Sequence, residues 1–230
     1  MQMNENTFTV IISTFLILLL CVLVRLIIVL PACNVKQFNK EPFTTNNNVK
    51  NTKLTILLGS GGHTGEMIRI LEQWGDKLNN FNRQYVISSG DSTSIHKLQK
   101  LEETTDNKDY QIDIIHRANN IGSNKLSSLI NTLISFKSTF NHIIYQKWRG
   151  LPEVFLTNGP GTAIPIAYLL FICKFLGVCD TKIIYIESLA RVNDLSLTGF
   201  LILPISDRII VQWEPLSKKY KRCEYHGILI

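Results

Sequence analysis

The sequence LTILLGSGGHTGE at residues 54–66 decides the fold, because a short apolar run typical of a buried strand leads directly into a glycine-rich turn and then a helix. Glycines at positions 59, 61, 62 and 65 permit backbone conformations that other residues avoid, and they let the backbone approach a ligand closely. The first N–H groups of the following helix attract negative charge. The stretch therefore predicts a phosphate or diphosphate site, and a turn that serves only helix packing is the alternative.

This glycine-rich stretch fits two common nucleotide-binding motifs poorly. In the dinucleotide motif G-x-G-x-x-G the third glycine would stand where Thr64 is, and no acidic residue ends the next predicted strand at the usual offset. The P-loop requires Gly-Lys-Ser/Thr, which the stretch lacks. The anion site therefore belongs to another class of glycine turn.

The amino-terminal part of the chain contains a membrane-span pattern. Residues 8–30 are almost wholly apolar and, as a helix, rise about 35 Å against a hydrocarbon core of about 30 Å. A signal peptide is the alternative, but residues 1–7 contain Glu5 and no Lys or Arg, and the run exceeds a signal core. We expect residues 1–7 to lie on the side of the membrane opposite the domain and residues 8–30 to form the anchor. Residues 31–52 are expected to form an Asn-rich linker, and residues 53–230 a cytosolic domain.

The charge distribution supports that orientation. Positive charge follows on the carboxyl side of the span, at Arg25, Lys36, Lys40, Lys50 and Lys53, and the positive-inside rule places that side in the cytoplasm. The net charge of +6 is scattered and not interleaved with aromatic residues, so an anionic membrane surface is favoured over nucleic acid. The five cysteines form no C-x-x-C pair, which agrees with a cytosolic domain.

After the linker, strand-like and helix-like segments alternate. The predicted strands are residues 54–58, 84–88, 110–116, 153–157, 182–186 and 208–212, and the predicted helices are residues 66–74, 93–103, 125–144, 162–176, 195–203 and 215–221. Such alternation favours a parallel sheet covered on both faces, so we predict an α/β fold with a doubly wound, Rossmann-like sheet. Helix 162–176 is apolar on nearly every side, and either burial in the domain or shallow insertion into the bilayer surface explains it.

The carboxyl ends of the predicted strands are where a ligand binds in an open α/β sheet. After the fourth strand, Asn158, Gly159, Gly161 and Thr162 form a strand-to-helix turn that shapes the entrance of a cleft. After the fifth strand, Glu187 and Arg191 stand four residues apart. That spacing fits an ordinary helical ion pair, and a position lining the cleft is the alternative.

Five motifs in the same order carry a family resemblance over essentially the whole chain: GSGGHTGEM, TNGPGT, YIESLAR, LSLTG followed by LPISDRIIVQWEPL, and the ending YHGILI. The sequence resembles the membrane-anchoring subunits of the two-chain UDP-N-acetylglucosamine transferase of the dolichol-linked oligosaccharide pathway. The resemblance implies the N-terminal half of a GT-B glycosyltransferase, no cofactor and no metal. It also implies a soluble catalytic partner with the UDP-N-acetylglucosamine site, recruited to the cytosolic face of the endoplasmic reticulum with residues 1–7 in the lumen.

The resemblance also implies roles for particular residues. The diphosphate of dolichyl-diphosphate N-acetylglucosamine is expected at the glycine loop, on Gly59, Ser60, Gly61, Gly62, Thr64 and Gly65. His63 is a candidate general base toward the acceptor hydroxyl, or it donates a hydrogen bond to a phosphate or caps the turn.

The carboxyl terminus is an apolar tip that is disfavoured in water unless it docks. The tip comprises Tyr225, Gly227, Ile228, Leu229 and Ile230. The resemblance implies that it binds the catalytic partner, and docking on its own domain is the alternative. Two further function classes stay open at this point: a self-sufficient, membrane-tethered nucleotide enzyme, either glycosyltransferase or reductase, and a purely structural tether.

Overall fold

The amino-terminal apolar run forms one continuous helix, α1 (Glu5–Val29), in the computed structural model of this protein. The structure describes residues 5–33, 51–115, 137, 139–141, 150–159 and 161–230. Within α1, Thr7–Val29 has a mean hydropathy of 2.9 and its most apolar window is not buried, so the segment is long and apolar enough to cross a membrane.

The described residues contribute seven strands to one sheet. They are β1 (Thr52–Leu58), β2 (Phe81–Ser88), β3 (Tyr110–Ile115), β4 (Val154–Thr157), β5 (Lys182–Ile186), β6 (Arg208–Val211) and β7 (Cys223–Tyr225). Their order is β3-β2-β1-β4-β5-β6-β7, and every neighbouring pair is parallel. The predicted doubly wound parallel sheet is confirmed, with the edge strand β7 in addition.

Helices cover both faces of the sheet, as predicted. Besides α1, the described helices of more than one turn are α2 (Gly62–Glu72), α3 (Ser92–Glu103), α4 (Ala163–Phe175), α5 (Leu197–Ile202) and α6 (Glu214–Lys219), with short 3-10 helices at Pro31–Cys33 and Gly75–Asn80. Helix α2 starts at Gly62, four residues before the predicted start, because the loop glycines belong to its first turn. The predicted helix 125–144 lies almost entirely outside the described residues.

Two apolar cores lie on opposite faces of the sheet. On one face α2 and α3 pack over β1 and β2, with Met67, Leu71 and Leu98 fully buried. On the other face α4 and α5 bury Leu170 and Ile202 against β4, β5 and β6. One side of α4 therefore belongs to the domain core, as one of the two predictions for this helix requires.

The carboxyl end of α1 packs directly on the domain. Leu26, Val29 and Leu30 contact the core beneath α4, and the N–H of Ala32 donates to the carbonyl of Pro204 at 3.2 Å. Pro31 is buried. The first residues of the predicted linker 31–52 thus lie against the domain, and residues 34–50 lie outside the described residues.

A buried ionic network joins β2 to α3. Arg83 is 0% exposed, and its Nε and Nη2 donate to the two carboxylate oxygens of Glu102 at 2.9 Å each. The hydroxyl of Tyr85 donates to the same carboxylate at 2.6 Å, and Arg83 Nη1 donates to the carbonyl of Leu78 at 2.9 Å. This network satisfies both charges, so removing one partner leaves the other buried and unpaired.

We expect Glu102→Ala to lower the free energy of unfolding by about 3 kcal/mol, because it strands the Arg83 guanidinium in the core. Thermal and denaturant unfolding of the full chain in detergent, followed by circular dichroism, measures this loss. The matched control is Glu103→Ala, at the exposed next position of α3, which should change stability by less than about 0.5 kcal/mol. Equal effects of the two substitutions would contradict the assigned role of the network.

Candidate functional site

The strand order places a crevice between β1 and β4. The connections after these two neighbouring strands run to opposite faces, since α2 packs on one face and α4 on the other. In open α/β sheets ligands bind at this switch point, outside the carboxyl ends of the strands. The loop at residues 59–61 and the described residues 158, 159, 161 and 162 border the crevice, so two of the predicted strand ends lie side by side.

The glycine loop leaves the start of α2 open. Gly61 is the N-cap residue with φ of 64°, and no side chain caps the helix. Gly62 is exposed, and a Cβ placed on it would meet no described atom within 4 Å. The first N–H groups of an α-helix have no acceptor within the helix, so this open start can bind an anion. Gly59 and Ser60 connect it to β1.

The side chain of Thr64 turns toward the interior. Thr64 is buried, and its hydroxyl lies 2.6 Å from that of Ser94 on α3, which in turn contacts the Gly59 carbonyl at 3.3 Å. Thr64 therefore fixes the loop from behind, and its backbone amide belongs to the first turn of α2. A Cβ on Gly65 would lie 3.6 Å from the ammonium nitrogen of Lys97. Sequence reasoning missed this nearby positive charge, because Lys97 comes from α3.

His63 meets the β4 loop across the crevice. The side-chain amide of Asn158 donates to the carbonyl of His63 at 2.7 Å. Gly159 has φ of 90°, and a Cβ there would lie 3.5 Å from the Cε1 atom of His63 and 3.4 Å from the Tyr185 hydroxyl. These are ordinary van der Waals distances, so the positive φ is what favours glycine at this position. The structure thus joins His63, Asn158 and Gly159, as the strand-end rule predicts.

Glu66 belongs to this region, although sequence reasoning did not single it out. Its Oε1 accepts a hydrogen bond from the Ser188 hydroxyl at 2.8 Å, which connects α2 to the loop after β5. The spacing from His63 to Glu66 is three residues, so both side chains lie on one side of α2. That spacing is the local signal that could have identified Glu66.

Four enclosed polar atoms at this end of the sheet have no hydrogen-bond partner among the described residues. They are Nδ1 of His63, Oε2 of Glu66, Oδ1 of Asn158 and Oγ1 of Thr162. Buried polar atoms in folded proteins are nearly always paired, so a cluster of unpaired ones suits a ligand with several hydroxyl or amide groups. Gly161 lies beside Thr162 at the start of α4, where its carbonyl accepts from the N–H of Ile164 at 3.2 Å.

Glu187 is held inside the domain. It is 1% exposed, and its Oε2 accepts from the N–H of Ser196 at 2.8 Å and from the Ser196 hydroxyl at 3.1 Å. Burial raises the pKa of Tyr185, and the nearby Glu187 carboxylate raises that pKa further, so the phenol stays a proton donor. Through its hydrogen bonds to Ser196, the N-cap residue of α5, Glu187 fixes the start of that helix.

The prediction of a helical ion pair between Glu187 and Arg191 is wrong. Residues 187–191 are not helical, Arg191 is exposed, and no ion pair joins the two side chains in the part of the chain that the structure describes. The i, i+4 spacing brings side chains together only within a helix, and here the strand β5 leads into a turn.

The carboxyl-terminal tip returns over its own sheet. After a turn at Gly227, with φ of 89°, the N–H of Leu229 donates to Oε1 of Gln212 at 3.2 Å, and the Leu229 carbonyl accepts from Nε2 of Gln73 at 2.7 Å. Leu229 and Ile230 pack against the core under α2, whereas Tyr225 and Ile228 stay exposed. Leu229 also borders a mostly apolar groove of about 430 Å³. Its walls come from α2, β4, β5 and β6.

The matching family model and the curated relatives agree on one family. Residues 54–229 match the model of the family described as oligosaccharide biosynthesis protein Alg14 like. The curated UDP-N-acetylglucosamine transferase subunit ALG14 of Debaryomyces hansenii is 49% identical over 214 residues, which cover 90% of each chain. The protein of the same name from Mus musculus is 36% identical over 187 residues, covering 77% of this chain and 83% of the mouse protein. A crystal structure of Acinetobacter baumannii MurG superposes with a TM-score of 0.47 at 14% identity, over 70% of this chain and 41% of that one.

Proposed function

This chain belongs to the Alg14-like family of oligosaccharide biosynthesis proteins, and from that premise we propose that it is the membrane-anchoring, acceptor-binding subunit of a UDP-N-acetylglucosamine transferase. The reaction adds the second N-acetylglucosamine to N-acetylglucosamine-diphospho-dolichol. The observation that carries the proposal is the uncapped start of α2 at the switch point, with enclosed, unpaired polar atoms of the described residues beside it.

The acceptor diphosphate fits the glycine loop by charge and by shape. The backbone N–H groups of the N-cap residue Gly61 and of the first helical residues Gly62 and His63 lie at the start of α2, and the positive end of the helix dipole favours an anion there. Lys97 adds a positive charge next to Gly65. The acceptor sugar then reaches the unpaired atoms of His63 and Asn158, which can exchange hydrogen bonds with hydroxyl and acetamido groups.

Catalysis is proposed to need a second, soluble polypeptide that carries the UDP-N-acetylglucosamine site. In an inverting transfer the acceptor hydroxyl attacks the anomeric carbon, the bond from that carbon to the UDP oxygen breaks, and a base takes the hydroxyl proton. The product has a β-1,4 linkage. This chain supplies the acceptor and the proposed base, His63, so by itself it should be inactive.

The proposed location is the cytosolic face of the endoplasmic reticulum. Helix α1 serves as a single membrane span, with residues 1–7 in the lumen and the domain 53–230 in the cytosol. The basic residues on the carboxyl side of the span support this orientation. The nuclear envelope, which is continuous with that membrane, is included in the proposal.

An assay of the purified chain with and without the recovered soluble partner tests the proposed function. We expect N-acetylglucosamine transfer from the UDP sugar to a diphospho-polyprenyl acceptor only when both polypeptides are present. Transfer by this chain alone, or tight binding of UDP-N-acetylglucosamine or NAD(P) without the partner, would favour a self-sufficient nucleotide enzyme instead.

The partner is proposed to bind the carboxyl-terminal tip and the adjoining groove. Tyr225 and Ile228 are exposed, and Leu229 forms one border of the apolar groove over β4, β5 and β6. An apolar segment of the partner laid in this groove would cover the tip and the sheet face together. Such burial would explain why an apolar ending is kept at the surface of the domain.

Removal of Leu229 and Ile230 is expected to weaken partner binding by about 2 kcal/mol, roughly 30-fold, because two apolar side chains leave the interface. Titration of the detergent-solubilised full chain with purified partner measures the change. The comparison variant Gln73→Ala keeps both tip side chains and removes the hydrogen bond to the Leu229 carbonyl with a small part of the groove wall, so it should lose less affinity. Unchanged affinity of the truncated chain would overturn the proposed contact, and a lowered melting temperature beside it would show that the tip only covers its own sheet.

A further inference from the structure

Exposed apolar side chains collect on one face of the domain, outside α1. Ile172, Leu176 and Val178 lie on and just after α4, and Leu197, Phe200 and Leu201 lie on α5. Leu197 is 73% exposed, Leu176 is 67% exposed and Phe200 is 57% exposed. We name these six residues the α4–α5 apolar face. Large apolar side chains gathered on one face mark a contact surface more often than scattered single ones do.

The position of Arg25 fixes where this face lies relative to the span. Arg25 is four residues before the end of α1, which places it about 6 Å inside that end. Its Nε donates to the carbonyl of Phe175 at 2.9 Å and its Nη2 donates to that of Lys174 at 3.2 Å. The last turn of α4 therefore lies level with a residue of the span itself.

The same end of α1 is also attached beside α5. The N–H of Ala32 donates to the carbonyl of Pro204, which follows α5, and Leu30 packs against the core that α4 and α5 share. The hydroxyl of Tyr168 on α4 donates to the Leu201 carbonyl at 2.9 Å, which joins the two helices. Helix α4 thus contacts both the span and α5, and this places the apolar face beside the carboxyl end of α1.

Charge on these helices is compatible with lipid headgroups. Neither α4 nor α5 contains Asp or Glu, so no carboxylate of theirs would repel an anionic membrane surface. The one charged residue within them, Lys174, points inward and pairs with Asp207 at 2.9 Å. Because Arg25 lies within the span and contacts the end of α4, a soluble protein partner on this face would have to displace lipid at the depth of Arg25.

We infer that the α4–α5 apolar face lies in the interfacial layer of the membrane and forms a second, monotopic contact beside the span. The inference rests on the proposed function only in requiring that α1 crosses the membrane. It goes further by giving the cytosolic domain one orientation on the bilayer. When α4 and α5 lie against the lipid, the opposite face of the sheet stays accessible to the soluble partner. That face carries the groove and the carboxyl-terminal tip.

Site-specific photo-crosslinking of the full chain tests this contact. A benzoylphenylalanine replaces Leu18 in the span, Phe200 on the face, or Gln99, an exposed residue of α3 on the opposite side of the sheet. Each variant is irradiated in vesicles of phosphatidylcholine and phosphatidylserine, and adducts are identified by mass spectrometry. We expect lipid adducts from the probes at positions 18 and 200, each with a yield several-fold above the lipid-adduct yield from the probe at position 99.

The three positions separate the possible failures. Lipid adducts at 18 with none at 200 would overturn the membrane contact and leave the anchor standing, whereas no lipid adduct at either position would overturn both. Protein adducts at 200 in place of lipid would also overturn the contact and assign the face to a polypeptide.

A charge-substituted variant provides a second, independent measurement. Leu197→Glu combined with Phe200→Glu alters two exposed side chains, so the fold should persist while lipid adducts from a probe at Leu176 fall several-fold. The matched control, Gln99→Glu on α3, should leave that yield unchanged. An unaltered yield in the double variant would overturn the inference.

Discussion

Substitution of Gly62 by valine should reduce transferase activity of the assembled complex about a thousandfold, while the domain stays folded and keeps its partner. A Cβ at position 62 would meet no described atom within 4 Å, so we expect the domain itself to accommodate the substitution. The added isopropyl group would instead project at the open start of α2, where the diphosphate is proposed to bind. The acceptor would lose the backbone N–H groups that hold its charge.

The measurement is the steady-state rate with a diphospho-polyprenyl acceptor, together with co-purification of the partner. Arg69→Val is the matched control, because it introduces the same side chain at an exposed position of the same helix, two turns farther along. The control should retain activity within a few-fold. Full activity of the Gly62→Val complex would leave the chain as a purely structural tether, whose glycine loop only connects β1 to α2.

The sheet could be predicted from sequence because each central strand is a short run of apolar and β-branched residues. The prediction for residues 182–186 coincides with β5, and that for 54–58 lies within β1. The edge strand β7 escaped because it has only three residues and contains a charged one. Glu224 is tolerated there through its ion pair with Arg208 on β6, a contact across the sheet that no local pattern reveals.

The candidate site could be predicted only where the strand-end rule applies. That rule brought the glycine loop and the Asn158 turn together, since β1 and β4 are neighbours. It did not single out Glu66 or Ser188, which are joined by a hydrogen bond between residues 122 positions apart. It also did not predict that the Glu187 carboxylate would be hydrogen-bonded inside the domain, because this depends on the loop before α5 folding back onto the strand.

The apolar composition of α4 shows a related limit of sequence reasoning. Its composition is apolar on nearly every side, so burial and bilayer insertion looked like competing explanations. In the folded chain one side of the helix is buried in the core, and the inferred membrane contact concerns only the other side. Leu170 and Ala167 belong to the core, while Ile172 and Leu176 remain outside it, next to the end of the span.

His63 is the proposed general base, so His63→Ala should lower kcat about a thousandfold with little change in the KM for the acceptor. Its ring is held against Gly159, its carbonyl accepts from Asn158, and its Nδ1 has no partner among the described residues. A base fixed in this way acts on the hydroxyl proton during transfer, so its loss affects the rate of the chemical step more than binding.

Substitution of His63 by glutamine separates the two predicted roles. Glutamine can donate a hydrogen bond to a phosphate but cannot take a proton, so His63→Gln should be as slow as His63→Ala if His63 is the base. The control His96→Ala, at an exposed position of α3, should be unaffected. Recovery of activity in His63→Gln, or a loss expressed in KM alone, would assign His63 to the diphosphate and move proton removal to the other subunit.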